Sequence, residues 1–290
     1  MAPIPGLGPI GIWSSWLRTD DPAEAAQVRD AAAELENMGF AALWIGGSPG
    51  LDHAARLLAA TDRVMVATSI LSIWQYEAAD VATQRAALDP ADRERFLLGL
   101  GVSHTRFAAQ YARPYSAMQD YLAALDAAPV PVPAERRVLA AIGPKMLGLA
   151  RDRAAGAIPY LVTPEFTAQA RDILGDQPFL GPEMKAVLDT EPTRARRAAR
   201  EYLATYLALP NYTNSLKRAG YTAEDFEGGG SDRLVDALVA LGDTDRIRTR
   251  VEEFQKAGAD HVAVQVVLPR GQGYGRLMEQ WRELAQALPL

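Results

Sequence analysis

A short pattern recurs along the chain and constrains its fold more than any other feature. In each copy an apolar run and a turn lead to a capping residue, an amphipathic helix, a glycine and the next apolar run. Asp21-Pro22, Thr163-Pro164 and Thr244-Asp245 each open such a helix. Chains in which strands and helices alternate in this way fold into parallel sheets covered by helices.

Eight candidate strands follow from this pattern. They are residues 9–13, 41–45, 64–70, 95–100, 138–142, 157–161, 185–188 and 261–267. Eight strands alternating with helices in 290 residues predict an α/β fold, a closed (β/α)8 TIM barrel in which residues 1–290 form a single domain. An open doubly wound sheet is the alternative, although no dinucleotide-binding glycine motif follows the first strand.

Two connections exceed the length of ordinary loops. Residues 105–137 follow the fourth strand and combine aromatic residues with a proline-rich stretch, and residues 210–230 follow the seventh helix and end in three glycines. Such excursions on a barrel serve as lids or pocket walls, or as surface decorations and subunit interfaces. The sequence leaves both interpretations open.

Composition excludes several classes of function. A net charge of -6 argues against a nucleic-acid partner, and no apolar run approaches the roughly 20 residues that a membrane span requires. The N-terminus lacks the basic and apolar regions of a signal peptide, so a cytoplasmic protein is expected. Because the chain has no cysteine and no His-x-His or His-Glu-x-x-His spacing, no metal site is expected.

Residues 143–146 form the clearest candidate for an anion site. Gly143 follows the fifth strand, Pro144 suits the first turn of a helix, and Lys145 and Met146 continue that turn. Amides at a helix start have no acceptor within the helix, and the helix dipole favours an anion there. The segment therefore predicts a phosphate site, with an ordinary glycine–proline turn as the alternative.

His104 is the candidate for proton transfer. It follows Gly101 and Ser103 at the carboxyl end of the fourth strand, where barrel enzymes place their chemistry. Histidine can donate, accept or shuttle a proton near neutral pH. Of the other two histidines, His53 is expected in the helix after the second strand, and His261 at the opposite end of the barrel. The alternative role for His104 is to cap a loop.

Trp13, Trp44 and Trp74 each fall at or near the carboxyl end of a strand. Three large aromatic side chains at one end of a barrel favour a pocket for a planar ring or an apolar substrate, with hydrophobic core as the alternative. The chain also lacks the motifs of serine hydrolases and P-loop proteins. A chain with so few candidate acid–base residues is typical of an enzyme whose cofactor carries the chemistry.

The sequence resembles the bacterial luciferase-like superfamily of flavin and deazaflavin oxidoreductases over nearly its whole length. The similar segments are residues 33–40, 43–47, 67–71, 95–104, 141–147 and 257–262. Their order and spacing carry the resemblance, since each is weak alone. The chain is most similar to the actinobacterial members that depend on coenzyme F420.

This resemblance implies hydride transfer between F420 and a small organic substrate, or, as the alternative, an FMN-dependent two-component monooxygenase. It implies a cis peptide between Ser69 and Ile70 that supports the cofactor ring, and a possible acid–base role for His104 by position. Trp13, Trp44 and Trp74 are the candidates for substrate binding. The predicted cofactor-binding residues are Ser69, Ile70, Gly101, Ser103, Gly143, Pro144, Lys145 and Met146.

One departure from the family pattern separates this chain from several relatives. They carry a histidine after the second strand, whereas here residues 46–50 contain Ser48 near that place. A catalytically idle barrel that binds a cofactor or another protein is therefore a further alternative. Relatives often dimerise, which makes a homodimer one expectation.

Overall fold

Parallel strands curve into a barrel in the computed structural model, which describes residues 4–103 and 112–290. The strands are β1 Ile10–Ser14, β2 Ala42–Gly46, β3 Met65–Ser69, β4 Leu71–Ser72, β5 Phe96–Gly101, β6 Arg137–Leu139, β7 Gly156–Ala157, β8 Phe179–Leu180, β9 Glu183–Leu188, β10 Val239–Gly242 and β11 Val262–Val266. Every ladder between them is parallel.

Helices cover the outside of this sheet and alternate with its strands. They are α1 Ala25–Asn37, α2 Leu51–Leu58, α3 Ala78–Ala86, α4 Pro90–Arg95, α5 Pro114–Asp126, α6 Pro144–Arg153, α7 Pro164–Leu174, α8 Pro192–Leu207, α9 Pro210–Arg218, α10 Asp232–Leu238, α11 Thr244–Lys256 and α12 Tyr274–Ala287. None of these helices is both long and apolar enough to cross a membrane, within the ranges described.

The barrel closes through the segment that joins β8 to β9. Strand β1 pairs with β2 on one side and with β11 on the other, and β9 pairs with β11. Gly181 N–H donates to the Ala157 carbonyl, and Asp260 N–H donates to the Leu180 carbonyl, both at 2.9 Å. Residues 180–181 are thus hydrogen-bonded to the chain on both sides of them, which closes the barrel. The predicted TIM barrel is confirmed, and the open sheet is excluded.

The capping pattern from which the fold was predicted is present at α7 and α11 but not at α1. There the predicted opening at Asp21-Pro22 is wrong: these residues form a turn, in which Asp21 Oδ1 accepts from Ala23 N–H, and the helix begins only at Ala25. Thr163 Oγ1 accepts a hydrogen bond from Phe166 N–H at the start of α7, as its sequence position predicts. At the start of α11 the cap is Asp243, one residue before the predicted opening. Gly39 follows the end of α1, where the sequence predicted that the helix stops, and it has a φ of +100°, a conformation that favours glycine.

Three predicted strand limits differ from the structure by more than one residue. Strand β6 ends at Leu139 and β7 at Ala157, each earlier than predicted, because the chain beyond them leaves the ladder to form the wall of a cavity. Strand β9 begins at Glu183, two residues earlier than predicted. The sequence also gave no indication of β10, which pairs with β9 outside the ring.

The two long connections contain helices. Within 112–137, α5 packs against α3 and α6, the position of an ordinary barrel helix. Within 210–230, α9 is followed by a 3-10 segment, Glu224–Gly229, that packs on α8. His104 and the rest of residues 104–111 lie outside the described residues.

Gly99→Ala is expected to lower the free energy of unfolding by about 1–3 kcal/mol, since small-to-large changes in a packed core cost that much. A Cβ at Gly99 would lie 1.9 Å from the Thr68 carbonyl oxygen, so β3 and β5 would have to separate. Urea unfolding measures the effect. Gly148→Ala is the control, because its Cβ would meet nothing within 4 Å and should add helix stability. A Gly99→Ala protein as stable as the parent would contradict this packing.

Candidate active site

A cavity of about 560 Å³ opens at the carboxyl ends of the strands. Its wall is formed by the ends of β1, β3 and β5 and by the residues that follow β2, β6 and β7, and α8 and α9 close it from the other side. Its volume lies within the range of small-molecule sites, and the carboxyl end is where barrel enzymes act. Of the residues predicted from sequence, Trp13, Ser69, Ile70, Gly101 and Ser103 line it.

One wall of the cavity is built from the break between β3 and β4. The Ser69–Ile70 peptide is cis, as the resemblance implied. The Trp13 indole N–H donates to Ser69 Oγ at 2.9 Å, which fixes both side chains. A Cβ at Gly101 would lie 2.7 Å from Ile70 Cγ1, so only glycine lets β5 approach Ile70 this closely. The result is a smooth wall of tightly held side chains.

The start of α6 adjoins this wall. Ala140, Ala141 and Ile142 line the cavity, and α6 begins at Pro144 directly after them. Gly143 occupies the capping position without a side chain to accept the first amides of the helix, and a Cβ there would meet nothing within 4 Å. Because no side chain among residues 4–103 and 112–290 caps these amides, and because the space beside Gly143 is open, this helix start is suitable for an anion.

A cation on α9 lies beside the same helix start. Arg218 Nη2 donates to the Ile142 carbonyl at 2.9 Å, and Ser215 Oγ donates to the same oxygen at 3.3 Å. Lys145 contributes a second positive charge from the first turn of α6, where its side chain is exposed. Arg218 was not predicted from the sequence, because it is 73 residues away from Lys145 along the chain.

The loop after β2 forms a third part of the wall. Ser48 has a φ of +58°, and its Oγ donates to Gln75 Oε1 at 2.6 Å. The Arg18 guanidinium donates to the carbonyls of Gly47 and Ser48. Ser48 and Gln75 both line the cavity, so this hydrogen-bonded pair of polar side chains belongs to its wall.

Two of the three predicted tryptophans do not line the cavity. Trp44 is buried inside the barrel, stacked on Phe179, because its side chain points inward from the middle of β2. Trp74 lies near the mouth and donates its indole N–H to the Val102 carbonyl at 2.6 Å, so it supports a lining residue. Trp13 alone of the three contacts the cavity.

His261 lies at the opposite end of the barrel, where the sequence placed it. Trp44 Nε1–H donates to His261 Nε2 at 2.9 Å, so Nδ1 carries the proton and donates to the Gly8 carbonyl at 2.6 Å. Burial lowers the pKa of His261 from 6.5 to about 4, partly opposed by the Gly8 carbonyl. The imidazole is therefore neutral and structural.

A pH dependence of stability follows from His261. Since its pKa in the folded state is depressed, its contribution is present above pH 6.5 and is lost as the pH falls towards 4, by about 3 kcal/mol. Urea unfolding across this range should show a steeper loss for the parent than for His261→Gln. Nitrogen NMR of the imidazoles should find His261 neutral at pH 5.5. A charged imidazole at that pH would contradict the assignment.

A cluster of phenols that sequence reasoning missed forms the side of the cavity next to α8. Tyr160, Tyr202 and Tyr206 line the cavity, and their hydroxyl oxygens lie within 3.2 Å of one another. Gln265, on β11, bonds two of them. The spacing of Tyr202 and Tyr206 on one helix face was the only local indication of this cluster.

A buried ion pair lies behind the phenols. Lys185 Nζ donates to Glu183 Oε2 at 2.5 Å and sits 3.7 Å from the centroid of the Tyr160 ring. Burial lowers the pKa of Lys185 and raises that of Glu183, with each partner opposing the shift of the other. Alternation along β9 places both side chains on the inner face, where they hold Tyr160 in position.

The chain is similar to one known protein family and to several solved structures. The family model for luciferase-like monooxygenases matches residues 10–261, which is most of the chain. No curated protein sequence is similar enough to count as a relative.

Solved structures share the fold over almost the whole chain. An F420-dependent secondary alcohol dehydrogenase in complex with an F420–acetone adduct matches with a TM-score of 0.72 at 12% identity, covering 98% of both chains. The coenzyme F420-dependent tetrahydromethanopterin reductase from Methanopyrus kandleri matches with 0.71 at 18% identity, covering 97% of this chain and 98% of that one.

The fold is similar to that of a flavin-containing enzyme to about the same degree. The oxygenating constituent of 3,6-diketocamphane monooxygenase from Pseudomonas putida, in complex with FMN, matches with a TM-score of 0.67 at 13% identity. The match covers 98% of this chain and 99% of that one. At these identities the likeness concerns the fold.

Proposed function

Because the chain belongs to the luciferase-like monooxygenase family, we propose that it is an oxidoreductase that transfers a hydride between coenzyme F420 and a small organic substrate. The observation that carries this proposal is the position of the start of α6, which follows the cavity-lining residue Ile142 with only Gly143 between them. A flat ring and an anionic tail joined in one molecule require such a combination. The two F420-dependent enzymes with the same fold support the choice of cofactor.

The residues present fit such a cofactor. Ser69, Ile70 and Gly101 offer a tightly packed wall to one face of a ring, with Ser103 at its edge. The amides of Lys145 and Met146, together with the charge of Arg218, would hold a phosphate beside Gly143. When bound, the cofactor supplies the ring that gives or accepts the hydride.

The chain's own residues would orient the substrate and exclude water. Trp13 and Tyr160, whose ring centroids are 5.3 Å apart, form an aromatic surface in the cavity wall. His104 keeps its proposed role in proton transfer on the ground of its position in the sequence. None of the described residues that line the cavity is charged, so their share of catalysis is positioning and hydrogen bonding.

An FMN-dependent monooxygenase is the second candidate. The observation that favours it is the FMN complex of a monooxygenase with the same fold. The same helix start would hold the phosphate of FMN, so the phosphate site does not discriminate between the two cofactors.

Equilibrium titration of the purified protein with F420 and, separately, with FMN tests the proposal. We expect tight binding of F420, weaker binding of FMN, and a change in F420 absorbance when secondary alcohols, enones or imines are added. Tight FMN binding without F420 binding would favour the monooxygenase. Binding of either cofactor without any turnover would favour the idle barrel.

A further inference from the structure

In the phenol cluster, Tyr160, Tyr202 and Tyr206 with Gln265, two phenol protons can form a closed circle of hydrogen bonds with the amide. The third, that of Tyr206, can donate to the Tyr202 oxygen at 3.1 Å or turn away from it. Tyr160 and Tyr202 hydroxyls are 2.5 Å apart. Tyr160 O–H donates to Gln265 Oε1 at 3.0 Å, and Gln265 Nε2 donates to the Tyr202 oxygen at 2.7 Å. Tyr202 can therefore complete the circle by donating to Tyr160.

This closed circle of three groups does not depend on the orientation of the amide. If the Gln265 amide is turned over, Tyr202 donates to its oxygen, its nitrogen donates to Tyr160, and Tyr160 donates to Tyr202. The direction of the circle reverses, but its membership is the same. In both arrangements every proton of Tyr160 and Tyr202 is used within the circle.

Tyr206 stands outside this circle. Its hydroxyl oxygen lies 3.1 Å from that of Tyr202 and 3.2 Å from that of Tyr160, longer than the 2.5 Å contact within the circle. Its ring is half-buried and lines the cavity. The Tyr206 O–H is consequently the group whose proton an oxygen in the cavity can accept without breaking the circle.

The surroundings hold the cluster rigidly. The Tyr206 ring lies 5.2 Å from that of Tyr202 and 5.4 Å from that of Tyr160, and Lys185 fixes the other face of Tyr160. Burial raises the pKa of Tyr160 and of Tyr202 well above 10, so both remain neutral donors. A donor held in place before the reaction costs no reorganisation when charge develops on its partner.

We propose that Tyr206 donates a hydrogen bond, and then its proton, to an oxygen on the reacting carbon of the substrate, and that the cluster thereby selects ketones or aldehydes and the corresponding alcohols. This inference rests on the proposed function. In the reducing direction the carbonyl π bond breaks, its carbon gains a hydride from reduced F420, which is oxidised, and its oxygen gains the Tyr206 proton. The proton that the cofactor releases on its oxidation replaces, through water, the one that the Tyr206 oxygen has lost.

A pair of ligands of matched shape tests the selection directly. Cyclohexanone carries the acceptor oxygen, and methylenecyclohexane replaces it with a CH2 group. Affinities of both are measured by calorimetry with the full chain, with and without F420, for the parent, Tyr206→Phe and the control Tyr115→Phe, whose ring is exposed on α5. Removing one neutral hydrogen bond should weaken ketone binding about tenfold.

We expect Tyr206→Phe to lose this affinity for cyclohexanone only, with its affinities for methylenecyclohexane and F420 unchanged, and Tyr115→Phe to match the parent. In turnover of the ketone, Tyr206→Phe should lower kcat by about 100-fold, as loss of a general acid does. The proposal is overturned if Tyr206→Phe binds and reduces the ketone like the parent, or if the parent does not distinguish the two ligands. Failure to bind F420 would instead remove the proposed function, while ketone selectivity without cofactor would still report on Tyr206.

Discussion

Ala140→Trp is expected to lower the affinity for F420 by at least about 1,000-fold, equivalent to ~4 kcal/mol. Ala140 lines the cavity between the ring wall and α6, and its backbone N–H remains bonded to the Leu100 carbonyl at 2.8 Å. An indole placed there would occupy the space that the cofactor needs, without altering the strands. Fluorescence titration with F420 measures the change.

The control for this variant is Ala79→Trp, since Ala79 is exposed on α3, away from the cavity. It should bind F420 like the parent. Thermal unfolding followed by circular dichroism checks that Ala140→Trp is folded. A folded Ala140→Trp protein that binds F420 with the parent's affinity would show that the cofactor lies elsewhere.

The double variant Lys145→Glu with Arg218→Glu is expected to weaken F420 binding by at least about 100-fold. Hydrogen bonds to charged groups contribute about 1.5–3 kcal/mol each, and both changes also place negative charge beside the anion. The loss should be confined to ligands that carry a phosphate, so the ratio of FMN to riboflavin affinity should fall as well. Calorimetry with these three ligands measures both effects.

Lys256→Glu is the matched control, because Lys256 is an exposed lysine at the end of α11, remote from α6. It reproduces one charge reversal without touching the helix start and should leave every affinity unchanged. Equal losses for riboflavin and FMN in the double variant would indicate a general disturbance of the barrel, contrary to a phosphate site at α6.

Local chemistry made the barrel and part of its mouth predictable. Capping residues, prolines and glycines act within a few positions, so Thr163 and Gly39 marked helix limits correctly. Gly143 and Pro144 marked the start of α6 for the same reason. The wall formed by Ile70 and its neighbours came from the family resemblance, because a cis peptide has no local pattern of its own.

Contacts between distant residues were not predictable from one sequence. The place of Trp44 on β2 suggested a residue at the mouth of the barrel. In the structure its side chain points into the barrel interior and bonds His261, which is 217 positions away along the chain. Tyr160 and Gln265, 105 positions apart, meet only because the barrel closes. Strand β10 could not be predicted for the same reason. Its run of four residues is too short to indicate a strand by itself and is stabilised as one only by pairing with β9.

A structure of the protein crystallised with F420 tests the central claim most directly. We expect a phosphate oxygen within hydrogen-bonding distance of the amides of Lys145 and Met146, and the deazaflavin ring against Ser69, Ile70 and Gly101. Phosphate density at another helix start, such as that of α11, or a ring outside the cavity with the α6 amides facing only water, would contradict the account.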